Sequence, residues 1–165
     1  MNIQKELLPI TDINYILEIL DKVSLFGGLN ETQYHTVFKY FQKINYCSDE
    51  IIYREGDSPS YIYIIKSGTV KLIHERNNFT FAMAEYKVGN CFGETSLIGI
   101  QPQNSTAKAT EDTTLYVLSK ESLRKLFKLE KDIFGIFMMN IARESCRRLL
   151  SHDSVMLDYL LNQKL

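Results

Sequence analysis

Residues 88–107, VGNCFGETSLIGIQPQNSTA, connect a strand-like segment at 79–86 to another that begins at residue 106. We interpret this connection as a ligand loop rather than a plain connector. Gly93 allows the backbone to approach a bound group closely, and a single helical turn over 94–97 would direct its free N–H groups outward. Such a helix N-terminus favours an anion, phosphate above all.

An acidic residue, Glu94, stands at the start of this helical turn. Like charges repel, so Glu94 is not expected to bind the phosphate itself. A carboxylate at this position suits a hydroxyl donor instead, such as a ribose 2′-OH beside the phosphate. The loop therefore predicts a nucleotide-shaped site.

Short segments rich in Ile, Tyr, Val, Thr and Phe surround the loop, and turn-forming residues separate them at intervals of about ten residues. The predicted strands are 51–54, 61–66, 68–75, 79–86, 106–110 and 113–118. The predicted turns are Glu55-Gly56-Asp57, Ser67-Gly68, Asn77-Asn78 and Val88-Gly89-Asn90. Many short antiparallel strands favour a barrel or sandwich. Its core is expected to hold Tyr61, Tyr63, Phe79 and Phe81.

Helical spacing flanks this β region on both sides. Residues 12–23 are predicted to form an amphipathic docking helix, and Asn30 with Gln33 predicts a capped helix over 31–42. Ser119 is a plausible cap for a helix over 120–129, and a longer helix follows from Asp132.

Leucines and a methionine repeat at seven residues on the last helix, as Leu149 with Met156 and Leu150 with Leu157. This spacing favours a homodimer through the C-terminal helix. The alternative is a helix that folds back on its own domain.

Length and composition limit the classes of function. The chain has 165 residues, 45% of them apolar, which is enough for one domain with a real core. Its 19 Lys and Arg balance 20 Asp and Glu, so no basic excess predicts nucleic-acid binding. The longest apolar stretch, 133–139, is far shorter than the roughly 20 residues of a membrane span. With no signal-peptide pattern at the N-terminus, the chain is expected to be cytoplasmic and away from membranes.

The motifs of metal sites and of catalysis are missing from the sequence. Cys47, Cys91 and Cys146 include no CxxC pair and are expected to be free thiols, and the three dispersed histidines do not predict a metal or haem site. The sequence contains no GxSxG elbow, HExxH pair or Walker loop, so it is not expected to be an enzyme.

The order helix, strands, phosphate loop and C-terminal helices resembles the cyclic nucleotide-binding domain of catabolite-activator-type regulators and kinase regulatory subunits. The resemblance covers about residues 25–150. Its residues are Leu25-Phe26 with Leu29, Gly56-Asp57, Tyr63-Ile64-Ile65 with Ser67-Gly68, Gly89, Phe92-Gly93-Glu94, Pro102, the small residues through Ala109, and 115–118.

This resemblance implies a mainly β fold with flanking α-helices, namely an eight-stranded, jelly-roll-like β-roll with N-terminal and C-terminal helices. The implied domains are an N-terminal docking helix at 1–24, the β-roll domain at 25–130 and the long C-terminal helix at 131–165. Relatives that regulate transcription carry a helix-turn-helix domain after the long helix. This sequence ends at Leu165 without one, so direct DNA binding is not expected.

The resemblance also implies roles for individual residues. Gly93 and the backbone around Thr95 and Ser96 would face a cyclic phosphate, and Glu94 would hold the ribose hydroxyl. Arg148 falls roughly where the last helix of the family caps the base.

One position departs from the family pattern. The family's phosphate-pairing arginine follows the proline of the loop, but here Gln103, Asn104 and Ser105 follow Pro102. Losing one charged contact to phosphate is expected to lower affinity by about 10-fold to several thousand-fold. Lys71 and Lys108 are alternative cations for this place. The pocket is otherwise expected to be closed, vestigial or retuned to another molecule.

Two functions remain from the sequence. The first is a regulatory or sensor domain that takes cAMP, cGMP or another nucleotide, without a cofactor, and relays the state of its loop to the C-terminal helix and to an effector protein that the sequence does not identify. The alternative is a dimerisation or protein-interaction scaffold with a degenerate pocket.

Overall fold

The structure is a computed structural model that describes residues 5–10, 23–76 and 79–162. Within these residues it contains nine β-strands in two antiparallel sheets. The strands are β1 (Leu8–Pro9), β2 (Phe41–Tyr46), β3 (Ile51–Tyr53), β4 (Tyr61–Ser67), β5 (Val70–Arg76), β6 (Phe79–Tyr86), β7 (Cys91–Phe92), β8 (Thr106–Ala109) and β9 (Thr113–Ser119). The first sheet has the order β1-β2-β9-β4-β7 and the second β3-β8-β5-β6. The predicted mainly β fold, a β-roll with flanking helices, is confirmed.

Four α-helices and one 3-10 turn flank the sheets in the described residues. They are the 3-10 turn Ser24–Phe26, α1 (Glu31–Phe38), α2 (Glu94–Gly99), α3 (Lys120–Leu129) and α4 (Lys131–Asn162). The capping box predicted for α1 is present, because Asn30 and Gln33 each accept a hydrogen bond from the other's backbone N–H. The Ser119 side chain caps α3 as predicted.

The helix predicted over 31–42 is shorter than expected. It ends at Phe38, and β2 begins at Phe41, which pairs with Leu118 of β9. Pairing with a distant strand overrides the helical spacing of the apolar residues here. With the two-residue strands β1 and β7, this raises the strand number above the predicted eight.

Two predictions lie outside the described residues. Most of the N-terminal docking helix assigned to 1–24 falls on residues 11–22, and the Asn77-Asn78 turn is not described. The described part of that N-terminal segment contains β1, whose Leu8 pairs with Lys43 of β2.

The first sheet has a buried cluster on each of its two faces, which accounts for the unbroken apolar run of β4. Ile62 and Ile64 pack toward the helices, whereas Tyr63 and Ile65 pack into the interior of the roll. The interior of the roll is completed by Ala107, Ala109 and Val70 of the second sheet. The roll therefore has an aromatic and aliphatic interior that lies behind the ligand loop.

The prediction that Phe79 and Phe81 pack in the core is wrong. Their exposed fractions are 68% and 52%, while Tyr63 is only 4% exposed. Both phenylalanines lie on β6, which is an edge strand that pairs only with β5. Alternation of aromatic residues identified the strand but not which side of the sheet is covered.

The long helix α4 has two halves with different surroundings. In the first half, Phe137 is fully buried against Phe26 and Phe41. Asn140 fixes the helix to the 3-10 turn, because its Nδ2 donates to Leu25 O at 3.1 Å and to Gly27 O at 2.8 Å. The last part of the helix is exposed throughout residues 151–162. Among the described residues, no helix combines the length and the apolar character needed to span a membrane.

Candidate functional site

The ligand loop turns sharply at Gly93, between β7 and α2. Gly93 has φ of +80°, a left-handed conformation that favours glycine. A Cβ at this position would lie 2.9 Å from Tyr61 O and 2.9 Å from Tyr63 Cδ2. The sequence therefore uses glycine because the backbone passes directly against β4. The close approach to a bound group that the sequence predicts here stays a prediction.

The carboxylate of Glu94 is buried at the start of α2, with only 1% of the residue exposed. Its Oε1 accepts a hydrogen bond from Arg148 Nη1 at 2.7 Å. Its Oε2 is buried and has no hydrogen-bond partner among the described residues. Since an unsatisfied buried acceptor is costly, this oxygen is a ready acceptor for a donor from outside the chain.

Arg148 reaches this site from α4 and links it to three further groups. Its Nη2 donates to Cys91 O at 2.6 Å, and its Nε donates to Glu144 Oε1 at 3.2 Å. Its guanidinium carbon lies 4.9 Å from the centre of the Tyr86 ring, a cation–π contact. Burial opposes the charge, but Glu94 and the other acidic groups nearby outweigh it and hold the pKa of Arg148 above its usual value.

The thiol of Cys91 lies against the same guanidinium. Burial, followed by the field of Glu94, raises the pKa of the Cys91 thiol to about 12. This cysteine is 2% exposed, whereas Cys47 and Cys146 are exposed. All three are free thiols.

Four aromatic rings form the interior of the roll next to this ion pair. Tyr63 and Phe92 are stacked, with ring centres 4.9 Å apart and planes 6° apart. Tyr86 lies nearly parallel to Phe92 at 6.1 Å, and Tyr53 lies 5.7 Å from Tyr63. Burial raises the pKa of Tyr53, with the Glu94 charge adding to the effect, and the Ser105 hydroxyl is its hydrogen-bond partner. These rings connect the site at Glu94 to the end of the loop at Ser105.

Comparison with known proteins identifies the domain. The family model for the cyclic nucleotide-binding domain matches residues 43–130. The chain belongs to the cyclic nucleotide-binding domain family.

Relatives and solved structures agree with this assignment. The cAMP-dependent protein kinase regulatory subunit of Blastocladiella emersonii is 28% identical over 103 residues, which are 62% of this chain and 26% of that protein. A cyclic nucleotide-binding domain from Methylobacillus flagellatus has a TM-score of 0.76 at 25% identity, covering 87% of this chain and 82% of that one. The Thermus thermophilus catabolite activator protein has a TM-score of 0.74 at 30% identity, covering 83% and 62%. The resemblance stated from the sequence is confirmed, although the chain spans only about a quarter of that kinase regulatory subunit.

The loop residues singled out from the sequence differ in burial in this cyclic nucleotide-binding domain. Ser96, Gln103 and Ser105 are buried, whereas Thr95 and Asn104 are exposed. The Ser96 Oγ donates to Pro102 O at 3.4 Å, which fastens α2 to the end of the loop.

Gln103, which the resemblance aligns with the family's phosphate-pairing arginine, is held firmly. Gln103 is 3% exposed, its N–H donates to Asp57 O at 2.9 Å, and its carbonyl accepts from Gly56 N at 2.8 Å. These bonds fix the backbone of this position against the turn that follows β3. The side chain that is buried there carries an amide and no charge.

The two lysines considered as substitute cations lie on the outer face of the second sheet. Lys108 alternates with the buried Ala107 and Ala109 and pairs with Asp49 at 2.7 Å. Lys71 pairs with Glu85 at 3.5 Å. Neither lysine faces the interior of the roll.

Sequence reasoning did not find Tyr53, Tyr86 and Cys91 at this site. Tyr53 and Tyr86 lie in predicted strands and Cys91 lies in the ligand loop, but their convergence depends on pairing between distant strands. Their residue types gave no separate signal, since aromatic residues in strands usually indicate packing alone. Among the described residues, no group of three or more His, Cys, Asp or Glu could hold a metal ion.

Proposed function

We propose that this chain is a non-catalytic regulatory domain that binds a ribose-bearing ligand in its roll and transmits the bound state to α4. The observation that supports binding is the buried, unpartnered Oε2 of Glu94. A hydroxyl that donates to this oxygen would satisfy it, which is worth about 1.5 to 3 kcal/mol for a charged acceptor. The ring of such a ligand would meet the aromatic interior beside it.

Transmission rests on the shared ion pair. Glu94 belongs to the ligand loop and Arg148 to the long helix, so a ligand that engages the carboxylate changes the interaction that holds α4 against the roll. The first half of α4 stays anchored by Phe137 and Asn140. We therefore expect the change to be directed to the part of the helix after residue 141, where a ligand would bias how the helix packs.

Titration calorimetry with cAMP, cGMP, adenosine and guanosine, each to millimolar concentration, tests binding. Saturable heat at one site per chain that Glu94→Ala abolishes would support the proposal. Glu121→Ala is the matched control, because it removes an exposed carboxylate that pairs only with Lys125 among the described residues. Silence for all four ligands would overturn the proposal.

Hydrogen exchange with and without the tightest of these ligands tests the relay. Protection over residues 144–162 is expected to change, while protection around Phe137 stays constant. Binding that leaves the whole of α4 unchanged would contradict the relay and leave binding in place.

A second function, homodimerisation, is favoured by the exposed apolar stripe on the last part of α4. Leu149 and Leu150 are 62% and 68% exposed, and Met156, Leu157 and Leu160 are 62%, 56% and 50% exposed. These residues share one helix face at the spacing of a coiled coil. A second copy of the chain fits this stripe, because a two-fold arrangement would cover both copies with the same surface.

Sedimentation velocity tests dimerisation. The double variant Leu150→Glu with Leu157→Glu is expected to be monomeric at concentrations where the natural chain is dimeric. The matched control, Ser151→Glu with Val155→Glu, adds the same charge on the opposite face and should stay dimeric. A monomeric natural chain at high concentration would contradict this function without affecting ligand binding.

A further inference from the structure

The charges around Glu94 are already balanced within the chain. Arg148 lies between two carboxylates, with Nη1 2.7 Å from Glu94 and Nε 3.2 Å from Glu144. Glu144 also pairs with Arg147 at 2.5 Å, on the exposed side of the helix. A phosphate brought beside Glu94 would therefore add an anion where the partly buried guanidinium of Arg148 is already committed.

The end of the loop around Gln103 supplies no positive charge that could pair with a phosphate in place of Arg148. The buried Gln103 has an amide, which can donate to and accept from a neutral hydroxyl equally well. Lys108 and Lys71 are committed to Asp49 and Glu85 on the outer face of the sheet. Within the described structure, the cations considered for the phosphate do not reach its place.

The remaining features suit a neutral ligand with a flat ring and hydroxyl groups. The Oε2 of Glu94 accepts hydrogen bonds and repels anions. Tyr63, Phe92 and Tyr86 stack on one another beside this carboxylate, and Ser105 adds a buried hydroxyl.

We propose that the site at Glu94 selects an uncharged ribonucleoside over the corresponding cyclic phosphate, with Glu94 holding a ribose hydroxyl and Gln103 facing the place of the missing phosphate. This inference rests on the proposed function, since it assumes that a ribose-bearing ligand binds. Selection arises because a neutral ligand keeps both hydrogen bonds and avoids placing an unpaired anion next to a buried carboxylate.

The test compares the affinities of adenosine, 2′-deoxyadenosine and cAMP for the natural chain by titration calorimetry. Adenosine is expected to bind at least about tenfold more tightly than cAMP, because the phosphate of cAMP lacks one charged contact and a contact of that kind changes affinity by about this factor. Its affinity should not change between low and high salt, because no ion pair with the ligand is involved. Cyclic AMP that binds as tightly as adenosine or more tightly would overturn the inference and leave the proposed function standing.

A substitution at the loop tests the role of Gln103 directly. Gln103→Arg is expected to raise the affinity for cAMP at least about tenfold and to reverse the order of the two ligands. Asn104→Arg is the control, because it adds the same charge at the neighbouring exposed position and should not change the order. A reversal seen equally with Asn104→Arg would overturn the assignment of Gln103. If Gln103→Arg does not fold, the affinities of adenosine and cAMP for the natural chain decide the question alone. Failure of every ligand to bind overturns both proposals.

Discussion

Arg148 and Glu94 are 54 positions apart in the chain, yet Arg148 Nη1 lies 2.7 Å from Glu94 Oε1. This contact joins α4 to the first residue of α2, and Oε2 of the same carboxylate has no hydrogen-bond partner within the described part of the chain. Arg148 also donates to the carbonyl of Cys91, within the ligand loop. Arg148 is therefore a charged link between the ligand loop and α4, in addition to the apolar and amide contacts of Phe137 and Asn140.

Removing the cation should destabilise the protein strongly. Arg148→Leu leaves the Glu94 carboxylate buried without a countercharge, and we expect a loss of about 3 kcal/mol in the free energy of unfolding by urea. The double variant Arg148→Leu with Glu94→Gln should lose clearly less than the sum of the two single changes. Arg147→Leu is the control: Arg147 pairs at the exposed side of α4 and should cost under about 1 kcal/mol. Equal losses for the two arginines would contradict the importance of this ion pair.

The thiol of Cys91 should report the docking of α4. It is buried and its pKa is raised to about 12, so it should react with a thiol reagent at pH 8 far more slowly than the exposed Cys47 and Cys146. Arg148→Ala should accelerate its labelling by about tenfold for each 1.4 kcal/mol by which local opening becomes easier.

This rate is best measured with Cys47→Ser and Cys146→Ser in the background, so that Cys91 is the remaining thiol. Arg147→Ala in the same background should leave the rate unchanged. If Cys91 reacts as fast in the natural chain as in the unfolded chain, α4 does not cover it.

The starts of two helices were predicted correctly because residues within a single helical turn determine them. Asn30 with Gln33 and Ser119 mark the starts of α1 and α3, because a cap requires only the residues of one helical turn. The loop at Gly93 and Glu94 was identified for the same reason. Phe41 was misassigned to a helix because its pairing with Leu118 spans the whole roll.

The chemistry of the candidate site was only partly predictable. Glu94 was singled out from its place in the loop, whereas Gln103 and Arg148 were singled out through the family resemblance. The ion pair between Arg148 and Glu94 and the ring of Tyr86 above it depend on where α4 crosses the roll. Spacing within the sequence does not define such a crossing.

Two glycines should respond in opposite ways to the same substitution. Gly68 has φ of +89°, and a Cβ there would lie 2.3 Å from Thr113 Oγ1 and 2.8 Å from Asp112 O. Gly68→Ala should therefore destabilise the protein by about 1 to 3 kcal/mol. Gly135 lies exposed within α4 with nothing within 4 Å of the added Cβ, so Gly135→Ala should stabilise by about 1 kcal/mol. Thermal unfolding of both variants measures this difference, and a stabilising Gly68→Ala would contradict the close approach of the two turns.

Glu55 should make the stability depend on pH in the acidic range. Hydrogen bonds from Arg76 and His74 lower the pKa of Glu55 to about 2, from an ordinary value of 4.5. A lowered pKa in the folded state means that Glu55 stabilises the fold above about pH 4.5 and that this contribution is lost as the pH falls toward 2. The midpoint of urea unfolding, measured from pH 7 down to pH 2, should therefore fall more steeply for the natural chain than for Glu55→Gln.

The two midpoints should differ most at neutral pH and converge near pH 2, where the natural carboxyl is becoming protonated. About a third of the Glu55 side chain is exposed in its pairs with Arg76 and His74, so salt screens these pairs. The difference between the two unfolding midpoints should therefore shrink in high salt. Glu31→Gln is the control, because Glu31 is an exposed carboxylate at the start of α1 in a different part of the molecule. Parallel pH profiles for the natural chain and Glu55→Gln would show that the carboxylate of Glu55 contributes no stability through Arg76 and His74.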